Sequence, residues 1–170
     1  LLDITLKDFS KVILSESDKS IFFSQSDISL DLGGYAKGYA LKKINQYLIN
    51  AQVQNCFVDF GNSSILSIGH HPYGDSWKVS IPNPFNPRES MDEISLKDEA
   101  MSVSGNTPTY SGHIVRPDSK EVIIDRKVIS ITSSDPLEAE VLSTTFMIAN
   151  EEEKKRLCDN FEIKSFTEYF

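Results

Sequence analysis

The chain has 170 residues, of which 39% are hydrophobic, and its formal net charge at pH 7 is −8. This length and apolar content are sufficient for one domain with a buried core, spanning residues 1–170. The acidic charge balance argues against a nucleic-acid partner, and no run reaches the ~18 apolar residues that a membrane span requires. Cys56 and Cys158 match no metal-binding spacing, so two free thiols are favoured over a disulfide.

The first third of the chain predicts short strands followed by a turn and a helix. Residues 1–27 alternate apolar clusters with polar turns, which indicates short strands with one helical turn. Residues 28–32 alternate apolar and polar side chains, as in a strand with one buried face. Gly33 and Gly34 allow the chain to turn. The following apolar residues are spaced as in an amphipathic helix: Ala40, Leu41, Ile44, Tyr47 and Leu48.

A glycine turn that leads into a helix N-terminus suits phosphate, because free N–H groups and a partial positive charge meet there. The glycines do not form either of the two common phosphate-binding motifs. Lys37 precedes Gly38, whereas a Walker loop has lysine after its last glycine, and the dinucleotide fingerprint needs a different glycine spacing.

The middle of the chain predicts further short strands separated by turns. Single strands are predicted at residues 55–60, 65–69, 77–81 and 128–132, with a loop at residues 82–87. Residues 94–96 and 100–104 are predicted to pair with each other as a hairpin.

The last third of the chain predicts a mostly buried helix. Asp135 is a suitable N-cap, Pro136 suits the first helical position, and Glu138 has the spacing of a capping box. Residues 151–156 are predicted to be a solvated charged segment, and residues 163–166 a closing strand. Many closely spaced strands with two main helices indicate an α+β fold with a largely antiparallel sheet.

One face of the predicted buried helix is polar. Glu140, Ser143 and Thr144 are three and four residues apart and therefore share that face. A carboxylate and hydroxyls on a buried face are unfavourable unless they are paired, and such hard oxygen ligands suit Mg²⁺. The alternative is that Thr144 bonds back to its own helix and Glu140 reaches solvent.

The segment Asp31-Leu32-Gly33-Gly34-Tyr35-Ala36-Lys37-Gly38-Tyr39-Ala40 resembles the D-L-G-G-I-A-K-G-Y-A signature of the ApbE family. These proteins are magnesium-dependent FAD:protein FMN transferases, formerly described as thiamine-biosynthesis lipoproteins. Further segments resemble family motifs in the same order: residues 57–64, 77–84, 100–106, 113–117 and 139–146. Together these segments span nearly all of the chain.

The resemblance implies a magnesium site and a flavin-nucleotide site. The metal ligands would be Glu140, Thr144 and the carbonyl of Gly34, with Ser143 as a further hydroxyl. The family has aspartate where this chain has Glu140, whose side chain is one methylene longer. The residues implied in binding FAD are Asp31, Lys37, Ser104, Gly105 and His113, and His113 is also implied in catalysis. The plainer alternatives are that Lys37 is a surface lysine and that His113 has a structural role.

The implied activity is the transfer of FMN from FAD to a Thr or Ser of an acceptor protein, with release of AMP. Two alternatives are a magnesium-dependent FAD pyrophosphatase and a non-catalytic flavin-binding protein with an altered metal site. The resemblance also implies a periplasmic location or one on the outer face of the inner membrane, with a possible lipoprotein anchor. The chain is expected to be the C-terminal portion of a longer protein, without the family's N-terminal portion.

Overall fold

A computed structural model describes residues 9–26, 28–117 and 119–170. Within these residues the strands are β1 (Val12–Ser15), β2 (Ser20–Phe23), β3 (Cys56–Phe60), β4 (Ser64–Ile68), β5 (Trp77–Pro82), β6 (Ser90–Leu96), β7 (Ala100–Gly105), β8 (Val128–Ser133) and β9 (Ile163–Tyr169). The helices are α1 (Ala36–Asn50), α2 (Pro136–Ile148) and α3 (Glu151–Asn160), and a short 3₁₀ helix covers Phe9–Lys11. The predicted α+β class with largely antiparallel sheets is confirmed.

The central sheet has five antiparallel strands in the order β3-β4-β7-β8-β9. Helix α1 packs against α2 and β4, and α2 packs against β7 and β8. Alternate residues of β4 and β7 face these helices, so that Leu66 and Ala100 form a buried cluster with Leu41 of α1. Helices α1 and α2 therefore lie on the same face of the sheet.

The opposite face of the central sheet is covered by the β5–β6 pair. Ile65 and Met101 of the central sheet pack there against Val79, Ile81 and Leu96. This part of the structure thus has three layers, with helices on one side of the central sheet and a two-stranded ribbon on the other.

The predicted hairpin between residues 94–96 and 100–104 is wrong. Strand β6 pairs with β5, whereas β7 pairs with β4 and β8 in the central sheet. Residues 97–99 therefore carry the chain from one layer to the next. Local alternation predicts that both segments are strands, but it does not determine the partner of either one.

The strand predicted at residues 28–32 is also wrong, since this segment is irregular and leads directly into the glycine turn. Helix α1 then begins at Ala36. The predicted buried face of α1 is confirmed at Leu41. It is wrong at Tyr47, which is 73% exposed. The charged segment at residues 151–156 belongs to helix α3, whose N-cap Asn150 forms a complete capping box with Glu153.

The N-cap of helix α2 is confirmed, because the Asp135 carboxylate accepts a hydrogen bond from the Leu137 N–H at 2.9 Å. Pro136 follows at the first helical position. The predicted box with Glu138 does not form. Instead, the N–H of Asp135 donates to the Ser133 hydroxyl at 3.1 Å.

Several features near the chain start lie apart from the core. The predicted short strands are confirmed as the antiparallel pair β1–β2. The predictions for residues 1–8 and residue 27 lie outside the described residues. Ile13, Leu14 and Phe22 are each more than half exposed on this pair.

The predicted free thiols are confirmed, with Cys56 half-buried and Cys158 exposed. Among the described residues, no helix combines the length and the apolar content needed to cross a membrane.

Candidate functional site

The buried carboxylate of Glu140 is the centre of a polar cluster beneath helix α1. Its side chain is only 3% exposed, and both of its oxygens have partners. Oε1 accepts a hydrogen bond from the Lys37 ammonium, with which it also forms an ion pair. Oε2 accepts hydrogen bonds from the hydroxyls of Ser64 and Ser102, the latter at 2.8 Å. The prediction that this carboxylate needs partners is confirmed, and the alternative in which it reaches solvent is wrong.

A chain of hydroxyl groups continues from Glu140 along helix α2. Ser143 lies 3.1 Å from Ser102 and 2.8 Å from Ser104, measured between hydroxyl oxygens. Ser104 in turn lies 3.1 Å from the Thr144 hydroxyl. The cluster therefore joins three of the predicted site residues on α2 to the end of β7.

The strands supply hydroxyls at this point because of their register. Ser64 of β4 lies directly opposite Ser102 of β7, and Ser104 is two residues further along the same strand. Residues two apart on a strand point to the same face, so all three hydroxyls face α2. Ser64 and Ser102 are not among the residues predicted for the site. The Ser-x-Ser pattern of β7 was an available signal for Ser102, but the position of Ser64 required knowledge of strand pairing.

Two glycines let the start of helix α1 approach α2. A Cβ atom built at Gly38 would lie 2.5 Å from the Glu140 Cβ and 2.8 Å from the Pro136 carbonyl oxygen. Such contacts are too short for any side chain, so the close approach of the two helices requires glycine at this position. A Cβ atom at Gly34 would lie 3.2 Å from the Thr144 hydroxyl oxygen. The glycine turn therefore lies directly beside the polar face of α2, as the metal-site prediction requires.

Lys37, which is predicted to bind the nucleotide, contacts the predicted metal ligand Glu140. It is in the first turn of α1, where the helix dipole already contributes positive charge. An ammonium group there is unfavourable for the helix by itself, and the buried carboxylate of Glu140 compensates for it. One third of the Lys37 side chain remains exposed. In this structure the residue predicted to bind the nucleotide is paired with the residue predicted to bind the metal.

The donor set of the cluster is compatible with Mg²⁺. It consists only of oxygen atoms, namely one carboxylate, several hydroxyls and the adjacent backbone of the glycine turn. Mg²⁺ prefers such ligands, and it commonly combines one or two carboxylates with substrate phosphates and water. Within the described residues, no group of three or more His, Cys, Asp or Glu side chains forms a metal cage. The residues present therefore fit a metal that takes part of its coordination from a phosphate substrate.

The remaining predicted site residues lie outside this hydrogen-bonded cluster. The Asp31 carboxylate accepts a hydrogen bond from the Gly33 N–H at 2.8 Å, and it thereby fixes the glycine turn. Gly105 ends β7, where a Cβ atom would lie 2.9 Å from the Lys127 carbonyl oxygen. His113 is exposed in a loop and stacks on Tyr110 with ring centroids 4.0 Å apart. Partial burial lowers the pKa of His113, so its ring is more readily neutral.

Asn106 completes the Ser104-Gly105-Asn106 turn, whose backbone N–H groups are predicted to face the ligand, and its side chain is also polar. It directly follows Gly105 and is 2% exposed. Its side-chain NH₂ donates to the carbonyl oxygens of Ile123 and Asp125, both at 3.0 Å. Its Oδ1 atom is buried and has no hydrogen-bond partner in the part of the chain that the structure describes. A buried acceptor of this kind normally has a donor from water or a ligand.

The sequence matches the ApbE family over residues 3–167. It is 27% identical over 144 residues to an FAD:protein FMN transferase of Klebsiella pneumoniae, an alignment that covers 79% of this chain and 43% of the relative. It is 29% identical over 136 residues to an FAD:protein FMN transferase of Vibrio cholerae, covering 74% of this chain and 40% of the relative. The chain thus spans less than half the length of these curated relatives.

The fold is similar to solved structures of flavin transferases. The flavin transferase ApbE from Vibrio cholerae superposes with a TM-score of 0.75 at 22% identity, covering 96% of this chain and 57% of that one. The ApbE protein from Thermotoga maritima gives a TM-score of 0.75 at 21% identity, covering 93% of this chain and 54% of that one. These similarities confirm the predicted fold.

Proposed function

The chain belongs to the ApbE family, and from that premise we propose that it carries the metal and pyrophosphate site of an FAD:protein FMN transferase. The observation that best supports this proposal is the Glu140 cluster. A buried carboxylate, a set of hydroxyls and a glycine turn meet at one point, although the residues are far apart in the sequence. The curated relatives named above have this activity in their names.

The proposed Mg²⁺ ligands are the Glu140 carboxylate, the Thr144 hydroxyl and the carbonyl of Gly34, with Ser143 as a further hydroxyl. The proximity of Thr144 to the turn at Gly34, where an added Cβ atom would lie 3.2 Å from the Thr144 hydroxyl oxygen, supports this set. When bound, the metal would neutralise charge on the FAD pyrophosphate and make its phosphorus more electrophilic. The hydroxyl chain through Ser104 would hold these ligands in place, as outer hydrogen bonds do at metal sites.

The proposed reaction transfers FMN from FAD to an acceptor hydroxyl, to which FMN becomes joined through its own phosphate. The hydroxyl oxygen of an acceptor Thr or Ser attacks the phosphorus of the FMN half of FAD, and a phosphoester bond forms. The bond between that phosphorus and the bridging oxygen breaks, and AMP leaves with the electron pair. The hydroxyl proton passes to a base. In this chain Asp31 would fix the glycine turn, and Ser104 and Gly105 would border the bound nucleotide.

We propose His113 as the base, because its lowered pKa keeps the ring neutral near pH 7 and its exposure leaves it open to a substrate. Stacking on Tyr110 would orient the imidazole. A His113→Gln variant of the full-length protein is expected to lower the transfer rate by about 10²-fold. Its rate should also lose the decline at acid pH that protonation of a histidine base produces, a decline that begins below the ordinary histidine range because the pKa of His113 is lowered by burial. A variant with an unchanged rate and pH profile would show that another group removes the proton.

The function is tested by incubating the full-length protein with FAD, Mg²⁺ and an acceptor that carries a target Thr or Ser. We expect AMP release that depends on Mg²⁺, together with a mass increase of the acceptor equal to an FMN phosphoester. FMN and AMP formed without acceptor modification would instead indicate a pyrophosphatase. FAD binding without any cleavage would contradict both enzymatic functions.

The second candidate function is a non-catalytic flavin-binding protein. It is favoured by one observation, the ion pair in which Lys37 already neutralises Glu140. If this pair were permanent, no metal would bind there. The same assay separates the two candidates, because only a transferase releases AMP.

A further inference from the structure

The Glu140 carboxylate already forms an ion pair with a lysine of the same chain. Its Oε1 atom contacts the Lys37 ammonium, and its Oε2 atom is held by the hydroxyls of Ser64 and Ser102. In the part of the chain that the structure describes, Lys37 is the cation that forms an ion pair with this carboxylate. Any metal that binds here therefore has to replace the ammonium.

Simultaneous occupation of this oxygen by both cations is unfavourable. Mg²⁺ binds oxygen at about 2.1 Å, and a second positive charge on the same oxygen is strongly repelled at that separation in a poorly solvated site. Glu140 cannot move away easily, because its helix is held against α1 at Gly38. Lys37, in contrast, has a flexible four-carbon stem and is one third exposed. The lysine is therefore the partner that can leave.

We propose that Lys37 competes with a divalent cation for the Glu140 carboxylate. The lysine is displaced from Glu140 when the cation binds. This inference rests on the proposed function. The released ammonium lies in the first turn of α1, beside the positive end of the helix dipole, where an anionic phosphate is favoured. Metal binding would thus convert Lys37 from a partner of Glu140 into a phosphate-binding group. Without these ligands, the charge of Glu140 would remain neutralised by Lys37. The site would become competent for the proposed reaction only when metal and nucleotide are both bound.

The same helix pair provides a matched control. Lys42 lies five residues further along α1 and forms an ion pair with Asp135, which caps α2. The exposed fractions of the two lysine side chains are similar, 33% for Lys37 and 38% for Lys42. Replacing either lysine by methionine removes one charge and one bond between α1 and α2, but only Lys37 contacts the proposed metal ligand.

The experiment measures Mg²⁺ binding to the full-length protein without flavin, by calorimetry and by the rise in melting temperature. We expect Lys37→Met to bind Mg²⁺ at least about tenfold more tightly than the wild type, because no charged hydrogen bond has to be broken. Lys42→Met should bind like the wild type. Lys37→Arg should bind no more tightly than the wild type, because a guanidinium group pairs with a carboxylate at least as well as an ammonium does.

The outcomes separate this inference from the proposed function. Equal or weaker Mg²⁺ binding by Lys37→Met would overturn the competition, even if the protein is a transferase. If Lys37→Met does not fold without metal, tighter Mg²⁺ binding by Lys37→Arg or by Lys42→Met than by the wild type would overturn the competition. Retention of Mg²⁺ binding by Glu140→Gln would show instead that the metal lies elsewhere, which would remove the basis of the proposed metal site.

Discussion

Glu140→Ala is expected to abolish Mg²⁺-dependent cleavage of FAD, with a loss of at least about 10²–10³-fold, as when a group that stabilises developing charge is removed. The substitution removes the only carboxylate of the proposed ligand set. It also leaves Lys37, Ser64 and Ser102 without their shared acceptor. The measurement is AMP release from FAD as a function of Mg²⁺ concentration.

Glu140→Asp is expected to keep or raise the same activity. The family motif has aspartate at this position, and Mg²⁺ requires near-ideal octahedral geometry. A carboxylate that is one methylene shorter also withdraws from the Lys37 ammonium, which weakens the competing ion pair. If the wild type is inactive and the aspartate variant gains activity, the protein is a flavin binder whose metal site has changed.

The matched control for both variants is Glu138→Ala. Glu138 is on the same helix, but its carboxylate contacts Ser133 and lies outside the Glu140 cluster. Its activity should equal that of the wild type. Unchanged Mg²⁺-dependent cleavage in Glu140→Ala would contradict the assignment of the metal site to this helix.

Lys154→Met is expected to lower the free energy of unfolding by about 3 kcal/mol, the lower end of the cost of breaking a buried ion pair. The Lys154 side chain is 5% exposed and joins Glu151 to Glu168, thereby tying helix α3 to β9. The cost is at the lower end because Lys127 still pairs with Glu168 at 2.6 Å. Chemical unfolding at pH 7 measures the difference.

The destabilisation should depend on pH. Burial opposes the ionised form of Glu168, but hydrogen bonds from Lys127 and Lys154 outweigh it and lower its pKa. The stabilisation from Glu168 is therefore present above the pKa of an unfolded glutamate and is lost as the pH falls through the folded pKa. Burial also opposes the charge of Lys154, but hydrogen bonds to Glu151 and Glu168 raise its pKa. Its stabilisation is present below the unfolded lysine pKa and is lost as the pH rises through the folded one.

The difference in the free energy of unfolding between the wild type and Lys154→Met should therefore be largest near neutral pH and smaller in strong acid. Lys164→Met is the control, since Lys164 and its partner Glu162 are solvent-exposed. It should leave the unfolding midpoint unchanged at every pH. A difference for Lys154→Met that is constant across the acidic range would show that lost packing, rather than the ion pair, causes the destabilisation.

Local patterns in the sequence determined helices α1 and α2, most of the strands and one face of the site. Helix α2 and its Asp135 cap were predictable because capping and helical periodicity act over a few residues. The same spacing placed Glu140, Ser143 and Thr144 on one face. The resemblance of motifs along the chain further predicted that the turn at Gly34 would lie beside this face, and the structure places it 3.2 Å from Thr144, measured from an added Cβ atom.

Only the tertiary structure decided which distant groups meet. Strand β6 pairs with β5 rather than β7 because sheet partners are chosen by packing between layers, which alternation within a strand does not encode. The register of β4 and β7 then places Ser64 opposite Ser102 beneath Glu140. Lys37 and Glu140 are 103 positions apart in the sequence. Their pairing depends on the close approach of α1 and α2 at Gly38, where a buried carboxylate needs a cation and the nearest one is a lysine.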